Sequence, residues 1–187
     1  MLEAFAASFI AIALAEFADK TQLAVLALSS RYSERRDHLR IFAGAFLGFA
    51  LADGLAILFG GLISSYVSVS AIRSFSGLAF VAFGLLFLIE KGDGAEKLGN
   101  GGSFMVAFSM IALNEFGDKT QLASMVLAAR FSQVLPVFLG VMLALGMLTV
   151  MAIACGKRVC GVVPEAKVKR AAGIVFILLG LSTLLGY

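Results

Sequence analysis

Six long apolar runs, separated by short polar or glycine-rich segments, occupy most of this sequence. They lie at about residues 4–28, 41–64, 72–89, 104–128, 134–154 and 171–186. A transmembrane helix needs roughly 20 mainly apolar residues to cross a hydrocarbon core about 30 Å thick, and each run approaches that length. With 60% hydrophobic residues, 14% charged residues and a mean hydropathy of +0.99, the chain is too apolar for a soluble domain. We therefore expect an all-α membrane protein with six transmembrane helices.

The lysines and arginines are distributed unevenly among the predicted loops. Eleven fall in the first, third and fifth loops and two in the second and fourth, while Lys20 and Lys119 lie inside predicted spans. The positive-inside rule places the basic loops in the cytoplasm, so both termini are expected to be periplasmic. The first apolar run carries Glu3 in place of a basic segment, which argues against a cleaved signal peptide. The basic residues flank apolar runs and form no stripe with aromatic residues, so nucleic acid is not an expected partner.

The second half of the sequence repeats the first. The segment from Glu16 to Leu23 recurs 99 positions later, and after a three-residue deletion the equivalence continues with an offset of 96, as from Gly44 to Gly140. Each half holds three predicted spans, an odd number, so the halves should enter the membrane with opposite polarity. We expect three-helix repeats at residues 1–90 and 104–187, joined by a glycine-rich cytoplasmic linker at 91–103. Inverted repeats of this kind are typical of secondary transporters.

Ionisable residues inside membrane helices are costly, at about 2.5 kcal/mol or more for each charge at the bilayer centre, and usually have a function or a charged partner. The first and fourth predicted spans contain six of them: Glu16, Asp19, Lys20, Glu115, Asp118 and Lys119. On a continuous helix, residues three apart share a face, so the four carboxylates can converge with Gln22 and Gln121 near the membrane midplane. An all-oxygen cage suits hard divalent cations such as Ca²⁺ or Mn²⁺, whereas zinc and copper would prefer His or Cys.

The charge of this cluster favours exchange of a metal for protons. Four carboxylates and two lysines carry a net charge of −2 when all are ionised, which one divalent cation neutralises. Without metal, desolvation and like-charge repulsion both favour protonation of crowded carboxylates, so metal and protons would compete for one site. A structural interpretation instead pairs Glu16 with Lys20 and Glu115 with Lys119, four residues apart on a helix. The symmetric duplication argues for a functional site.

The orientation of other polar residues near the two segments depends on whether the helices are continuous. On a continuous helix Thr21 points away from the carboxylate arc, by roughly 140° from the glutamate, unless the helix opens near Ala18 and Gly117. The threonines would then cap a helix or bond back to its carbonyls. Asn114 precedes the second segment and could bind metal through its oxygen or join two helices by hydrogen bonds.

Asp53 lies midway along the second predicted span, and its repeat counterpart is Thr149, so it breaks the symmetry of the two halves. It is either a proton relay or gate, or a hydrogen-bonded structural acid. Other features are expected to be structural. His38 should lie on the surface of a polar loop, and Cys155 and Cys160 in a cytoplasmic loop. Close helix packing is the role expected for several glycines, including Gly44, Gly48, Gly60 and Gly61.

At its two repeated segments the sequence resembles the family of membrane cation/proton antiporters, whose signature Glu-x-Gly-Asp-Lys/Arg-Thr/Ser occurs twice in six-helix proteins. That family includes bacterial manganese exporters and Golgi manganese/calcium transporters. The second copy, 115–120, matches the signature in full, whereas the first has Ala18 where the pattern has glycine. The resemblance implies that Glu16, Asp19, Glu115 and Asp118 are metal ligands, and that Gln22, Gln121, Thr21 and Thr120 support them. Lys20, Lys119 and Asn114 are further candidates for supporting residues.

The resemblance also implies a function. It predicts proton-coupled export of Mn²⁺, or of Ca²⁺, across a bacterial plasma membrane, without a prosthetic group. Sodium as the coupling ion and any oligomeric state are compatible with the sequence. A small-solute exporter is an alternative, because a free Lys20 or Lys119 could bind the carboxylate of an amino acid. An intramembrane aspartyl enzyme using Asp19 and Asp118 is another, and an ion channel is a third.

Overall fold

The structure, a computed structural model, describes residues 1–17, 19–29, 32, 34–66, 68–89, 102–159 and 165–185. Within these ranges the chain forms eight α-helices and no strand. In chain order they are α1 (Leu2–Glu16), α2 (Lys20–Ser29), α3 (Arg35–Tyr66), α4 (Val69–Ile89), α5 (Ser103–Glu115), α6 (Lys119–Phe131), α7 (Val134–Val159) and α8 (Glu165–Leu185). The all-α prediction is confirmed.

The predicted spans correspond to these helices in two different ways. The second, third, fifth and sixth spans each correspond to one helix, namely α3, α4, α7 and α8. The first and fourth are each divided into two helices, α1 with α2 and α5 with α6. Among the described residues, Arg35–Tyr66 and Val134–Ala154 are long and apolar enough to cross a membrane. At 1.5 Å per residue, α3 is about 48 Å long, more than the thickness of a hydrocarbon core.

Two predicted loops are shorter than the sequence indicated. α3 already begins at Arg35, so His38 lies in a helix and not in a loop, and its Nε2 lies 2.9 Å from the Tyr32 carbonyl oxygen and 3.2 Å from that of Ser29. α7 continues to Val159 and therefore includes Cys155, while Cys160 lies outside the described residues. The apolar run marks only the length buried in lipid, and good helix formers such as arginine and lysine extend a helix beyond it.

Helices from opposite halves of the chain pack against each other. α3 lies along α5 and α6, α7 lies along α1 and α2, and α4 pairs with α8. A methyl group at Gly44 would lie 2.4 Å from the Phe104 carbonyl oxygen, and one at Gly140 would lie 2.5 Å from that of Phe5. Such close backbone approach requires glycine. The predicted packing role is confirmed for the glycines crowded by a neighbouring helix: Gly44, Gly48, Gly60 and Gly61.

The surface of the molecule is unlike that of a soluble domain. Large apolar side chains are exposed along the two longest helices, including Leu47, Leu51, Leu55 and Leu58 of α3 and Leu135, Leu139, Leu143 and Met147 of α7. Acidic side chains lie inside, with Glu16, Asp53 and Glu115 at most 1% exposed. An apolar surface around a core that contains a few acidic side chains suits a bilayer, where lipid surrounds the protein.

Candidate metal centre

The second repeated segment forms a tight turn between two helices. α5 ends at Glu115, Phe116 has an extended backbone with φ −65° and ψ 115°, and Gly117 has φ +81°. The Asp118 N–H donates to the Glu115 carbonyl oxygen at 3.1 Å. These angles match a type II turn, whose third residue needs a positive φ. The glycine of the motif is therefore required by the turn that ends α5 and starts α6.

The first repeated segment opens in the same place. α1 ends at Glu16, Phe17 has φ −65° and ψ 119°, and the Asp19 N–H donates to the Glu16 carbonyl oxygen at 3.3 Å. Ala18, the departure from the motif, lies outside the described residues. Of the two sequence alternatives, the open helix is therefore the one that the structure shows, and the continuous helix is wrong at both segments. Each segment interrupts a helix, and in membrane proteins such an interruption is tolerated where the backbone lines a protein interior or an ion site.

The opening of both helices brings each threonine to the glutamate of the other half. Thr21 donates to Glu115 Oε1 at 3.0 Å, and Thr120 donates to Glu16 Oε1. All four side chains are buried. The prediction that the threonines cap a helix or bond to its carbonyls is wrong, because their hydroxyls donate to glutamates of the opposite half. Each half of the chain therefore supplies a hydroxyl that holds the carboxylate of the other half.

Three of the four predicted carboxylate ligands converge. One oxygen each from Glu16, Asp19 and Asp118 lies within 4.8 Å of the others. Oxygens on opposite sides of a Ca²⁺ ion are about 4.6–5.2 Å apart, so this spacing fits one such ion, and a smaller cation would need only slight contraction. Glu115, the fourth, lies close enough for electrostatic interaction with Glu16 and Asp118 but is not within the converging group.

The buried carboxylates share one bonding pattern. In Glu16, Glu115 and Asp53, one oxygen accepts a hydrogen bond from a hydroxyl and the other has no hydrogen-bond partner among the described residues. The three donors are Thr120, Thr21 and Ser124, respectively. A buried polar atom without a partner costs about 1–3 kcal/mol, and more when it is charged. The pattern suits binding of a cation or a proton at the second oxygen.

The two predicted glutamine ligands have different surroundings. Gln121 Nε2 donates to the Ala52 carbonyl oxygen at 3.1 Å, and its Oε1 accepts from the Gly117 N–H at 2.8 Å. Its repeat counterpart, Gln22, is buried, and neither of its side-chain polar atoms has a partner within the described part of the chain. The amide oxygen of Gln121 thus bonds to the turn, and its amide nitrogen bonds to α3. Gln22 is the glutamine whose amide is available to a ligand.

The remaining predicted site residues are Asn114, Lys119, Lys20 and Asp53, and those whose side chains the structure describes differ in their burial. Asn114 is half-buried directly before Glu115, and its Nδ2 has no partner among the described residues. Lys119 is half-buried at the start of α6, while the side chain of Lys20 lies outside the described part. Asp53 is fully buried in α3.

Sequence reasoning missed one polar residue near the site, Ser124. Its hydroxyl donates to Asp53 Oδ1 at 2.9 Å. A signal was present in the repeat, since the counterpart of Ser124 is Val25 and that of Asp53 is Thr149. Ser124 and Asp53 are both replaced by a different residue type in the other half, which makes them candidates for a hydrogen-bonded pair.

Comparison with known proteins gives one family. The sequence profile described as divalent cation/proton antiporter GDT1 matches residues 4–95 and 103–187. A Vibrio cholerae protein described as a candidate manganese exporter is 30% identical over 185 residues, which cover 98% of this chain and 91% of that protein. The Saccharomyces cerevisiae divalent cation/proton antiporter GDT1 is 29% identical over 82 residues, or 44% of this chain and 28% of that protein. A GDT1-like protein of Synechocystis is 27% identical over 201 residues, covering 95% of each chain. No solved structure matches the chain.

Proposed function

The chain belongs to the GDT1 family of divalent cation/proton antiporters, and we propose that it exports Mn²⁺ from the cytoplasm in exchange for protons. Ca²⁺ is the second cation that the oxygen ligands suit. Because the family consists of transporters, the chain is not an enzyme, and the aspartyl enzyme considered from sequence is excluded. Membership of a cation antiporter family likewise argues against the other two alternatives, an amino-acid exporter and an ion channel.

The observation that carries the proposal is the convergence of Glu16, Asp19 and Asp118 within 4.8 Å. The cation binds between these carboxylates, and Glu115 joins them through its second oxygen. Gln22 supplies a neutral amide oxygen, which a hard cation accepts as readily as a backbone carbonyl. The reciprocal threonine bonds support this role, because they hold one oxygen of each glutamate and leave the other for the ion.

Protons and metal compete for the same carboxylates. The bound cation requires them ionised, whereas an empty cluster of buried carboxylates is relieved by protonation. Metal released on one side of the membrane is therefore replaced by protons, and protons released on the other side restore the metal site. The transported ion and the coupling protons thus use the same oxygens in turn.

The fold of the proposed transporter is two inverted three-helix repeats, 1–90 and 104–187, joined by a cytoplasmic linker at 91–103. Support comes from the equivalent helix openings and from the equivalent contacts of Gly44 and Gly140. In a bacterial plasma membrane both termini face the periplasm. A reporter fused after Tyr187 is then periplasmic and one inserted at Gly94 is cytoplasmic, and cytoplasmic activity of the first would contradict this orientation.

The function is tested by flux into proteoliposomes that contain a pH-sensitive dye. Mn²⁺ uptake should be accompanied by proton movement in the opposite direction, and the comparison with Ca²⁺ and Mg²⁺ measures selectivity. Mg²⁺ should be transported least, because it keeps its water shell more firmly than the other two ions. Liposomes without protein are the control. Mn²⁺ uptake without any pH change would contradict proton exchange.

A further inference from the structure

Two hydrogen bonds join α6 to the middle of α3. Gln121 donates to the Ala52 carbonyl oxygen at 3.1 Å, and Ser124 donates to Asp53 Oδ1 at 2.9 Å. The two donors are three residues apart and therefore share one face of α6. Asp118, one of the converging carboxylates, is the N-cap residue of the same helix. Asp53 is thus connected to the helix that carries a candidate metal ligand.

At the equivalent position in the other half, the described residues make no such connection. Val25, the counterpart of Ser124, has no hydrogen-bonding side chain, and Thr149 replaces Asp53. Gln22 and Thr149 are buried, and their side chains have no hydrogen-bond partner within the described residues. The contact between α2 and α7 therefore lacks both the hydroxyl donor of Ser124 and the carboxyl of Asp53. The extra carboxyl therefore belongs to one half of the molecule alone.

Asp53 lies in acidic surroundings. It interacts electrostatically with Glu16, Glu115 and Asp118. Its Oδ2 has no hydrogen-bond partner among the described residues, and the side chain is fully buried. An ionised carboxylate in this position is disfavoured unless a cation lies near it.

The helices that pack on α3 are α2, α5, α6 and α7. Three of these helices, α2, α5 and α6, adjoin the two helix breaks. The charged residues that they and the short segments before them carry at these breaks are Asp19, Lys20, Glu115, Asp118 and Lys119. The other charged residues lie near helix ends away from the breaks: Arg130 in the last turn of α6, and Lys157 and Arg158 at the end of α7. The charges closest to Asp53 along these helices therefore belong to the two repeated segments.

We propose that Asp53 is a proton-binding residue of the exchange that does not contact the metal: it holds one proton on Oδ2 while the metal site is empty and releases it when the cation binds. The inference rests on the proposed function. A divalent cation among Glu16, Asp19 and Asp118 favours the negative form of Asp53 and so expels its proton, and by linkage that proton weakens metal binding. Ser124 holds Oδ1 throughout, which leaves Oδ2 as the atom that gains and loses the proton.

The substitution Asp53→Asn tests this role, since asparagine keeps an acceptor for Ser124 and resembles the protonated acid. The apparent Mn²⁺ affinity is measured in detergent at several pH values. Asp53→Asn should match the wild type at low pH and gain less affinity as the pH rises, with the slope of log affinity against pH lower by about one. Thr149→Val, at the equivalent buried position of the other half, is the matched control and should keep the wild-type slope.

Two results for Asp53→Asn would overturn the proposal. An unchanged slope would mean that Asp53 exchanges no proton with the metal, and loss of Mn²⁺ binding even at low pH would make it a ligand. Ser124→Ala provides a test if the first variant does not fold. It keeps the carboxyl but loses the donor that favours its ionised form, so the rise in affinity should move to higher pH, and an unchanged profile would count against the proposal. These results can be distinguished from an error in the proposed function itself. If the protein is not a Mn²⁺ transporter, the wild type would show no Mn²⁺ binding or flux.

Discussion

The two half-sites of this protein, one around 16–22 and the other around 115–121, share their helix break and their crossed threonine bonds but differ in their contacts with the neighbouring long helix. Each has a glutamate at the end of a helix, an aspartate directly before the next helix, and a threonine that bonds to the opposite glutamate. They differ in their contacts with the long helices: Gln121 and Ser124 join the second half-site to α3, and among the described residues no equivalent bond joins the first half-site to α7. The carboxylates and threonines of the site are thus duplicated, whereas the pair of Ser124 and Asp53 is not, and the two equivalent glutamines have different surroundings.

The largest expected effect concerns the duplicated carboxylates. Asp19→Asn and Asp118→Asn should each abolish Mn²⁺ transport, because both half-sites contribute to one ion and neither can hold it alone. Transport is measured by Mn²⁺ flux per inserted protein, with Glu3→Gln, at an exposed position of α1, as the control. Normal Mn²⁺ flux in either aspartate variant would contradict both the equivalence of the two halves and the hypothesis that they share one ion site.

A smaller and equally symmetric effect is expected at the threonines. Thr21→Val and Thr120→Val each remove a hydrogen bond to a buried glutamate while keeping the shape of the side chain. Loss of such a bond should weaken Mn²⁺ binding by about tenfold or more in both variants. Serine at either position keeps the hydroxyl and is the matched control. Unequal losses would show that the crossed bonds are not equivalent.

The smallest effect should separate the two halves. Gln121→Ala removes bonds to the Gly117 N–H and the Ala52 carbonyl, so it should lower stability by about 1–2 kcal/mol, read as a lower Tm in detergent. Gln22→Ala removes no such bond among the described residues and should instead weaken Mn²⁺ binding. Equal losses of Tm would contradict the asymmetry described above.

The sequence predicted much of the fold but not the connections within the site. Hydropathy located the helices within several residues, and the spacing of the repeat identified Glu16 and Glu115 as equivalent. The crossed threonine bonds could not be predicted, because an opening of the helix near Gly117 is visible in the sequence but the direction of the chain after Phe17 and Phe116 is not. A single turn of this kind reorients every following side chain relative to those before it.

By itself, the sequence determined that the chain is helical and apolar, that its carboxylates occur in two equivalent sets, and that Asp53 has no acidic counterpart. These properties follow from composition, periodicity and repetition, which are local features of the chain. Only the tertiary structure decided that Thr21 bonds to Glu115, that Ser124 holds Asp53, and which three of the four predicted carboxylates converge. The reason is physical: a hydrogen bond between helices depends on the backbone direction at each break and on the distance between helix axes, and neither is encoded by the spacing of residues along one helix.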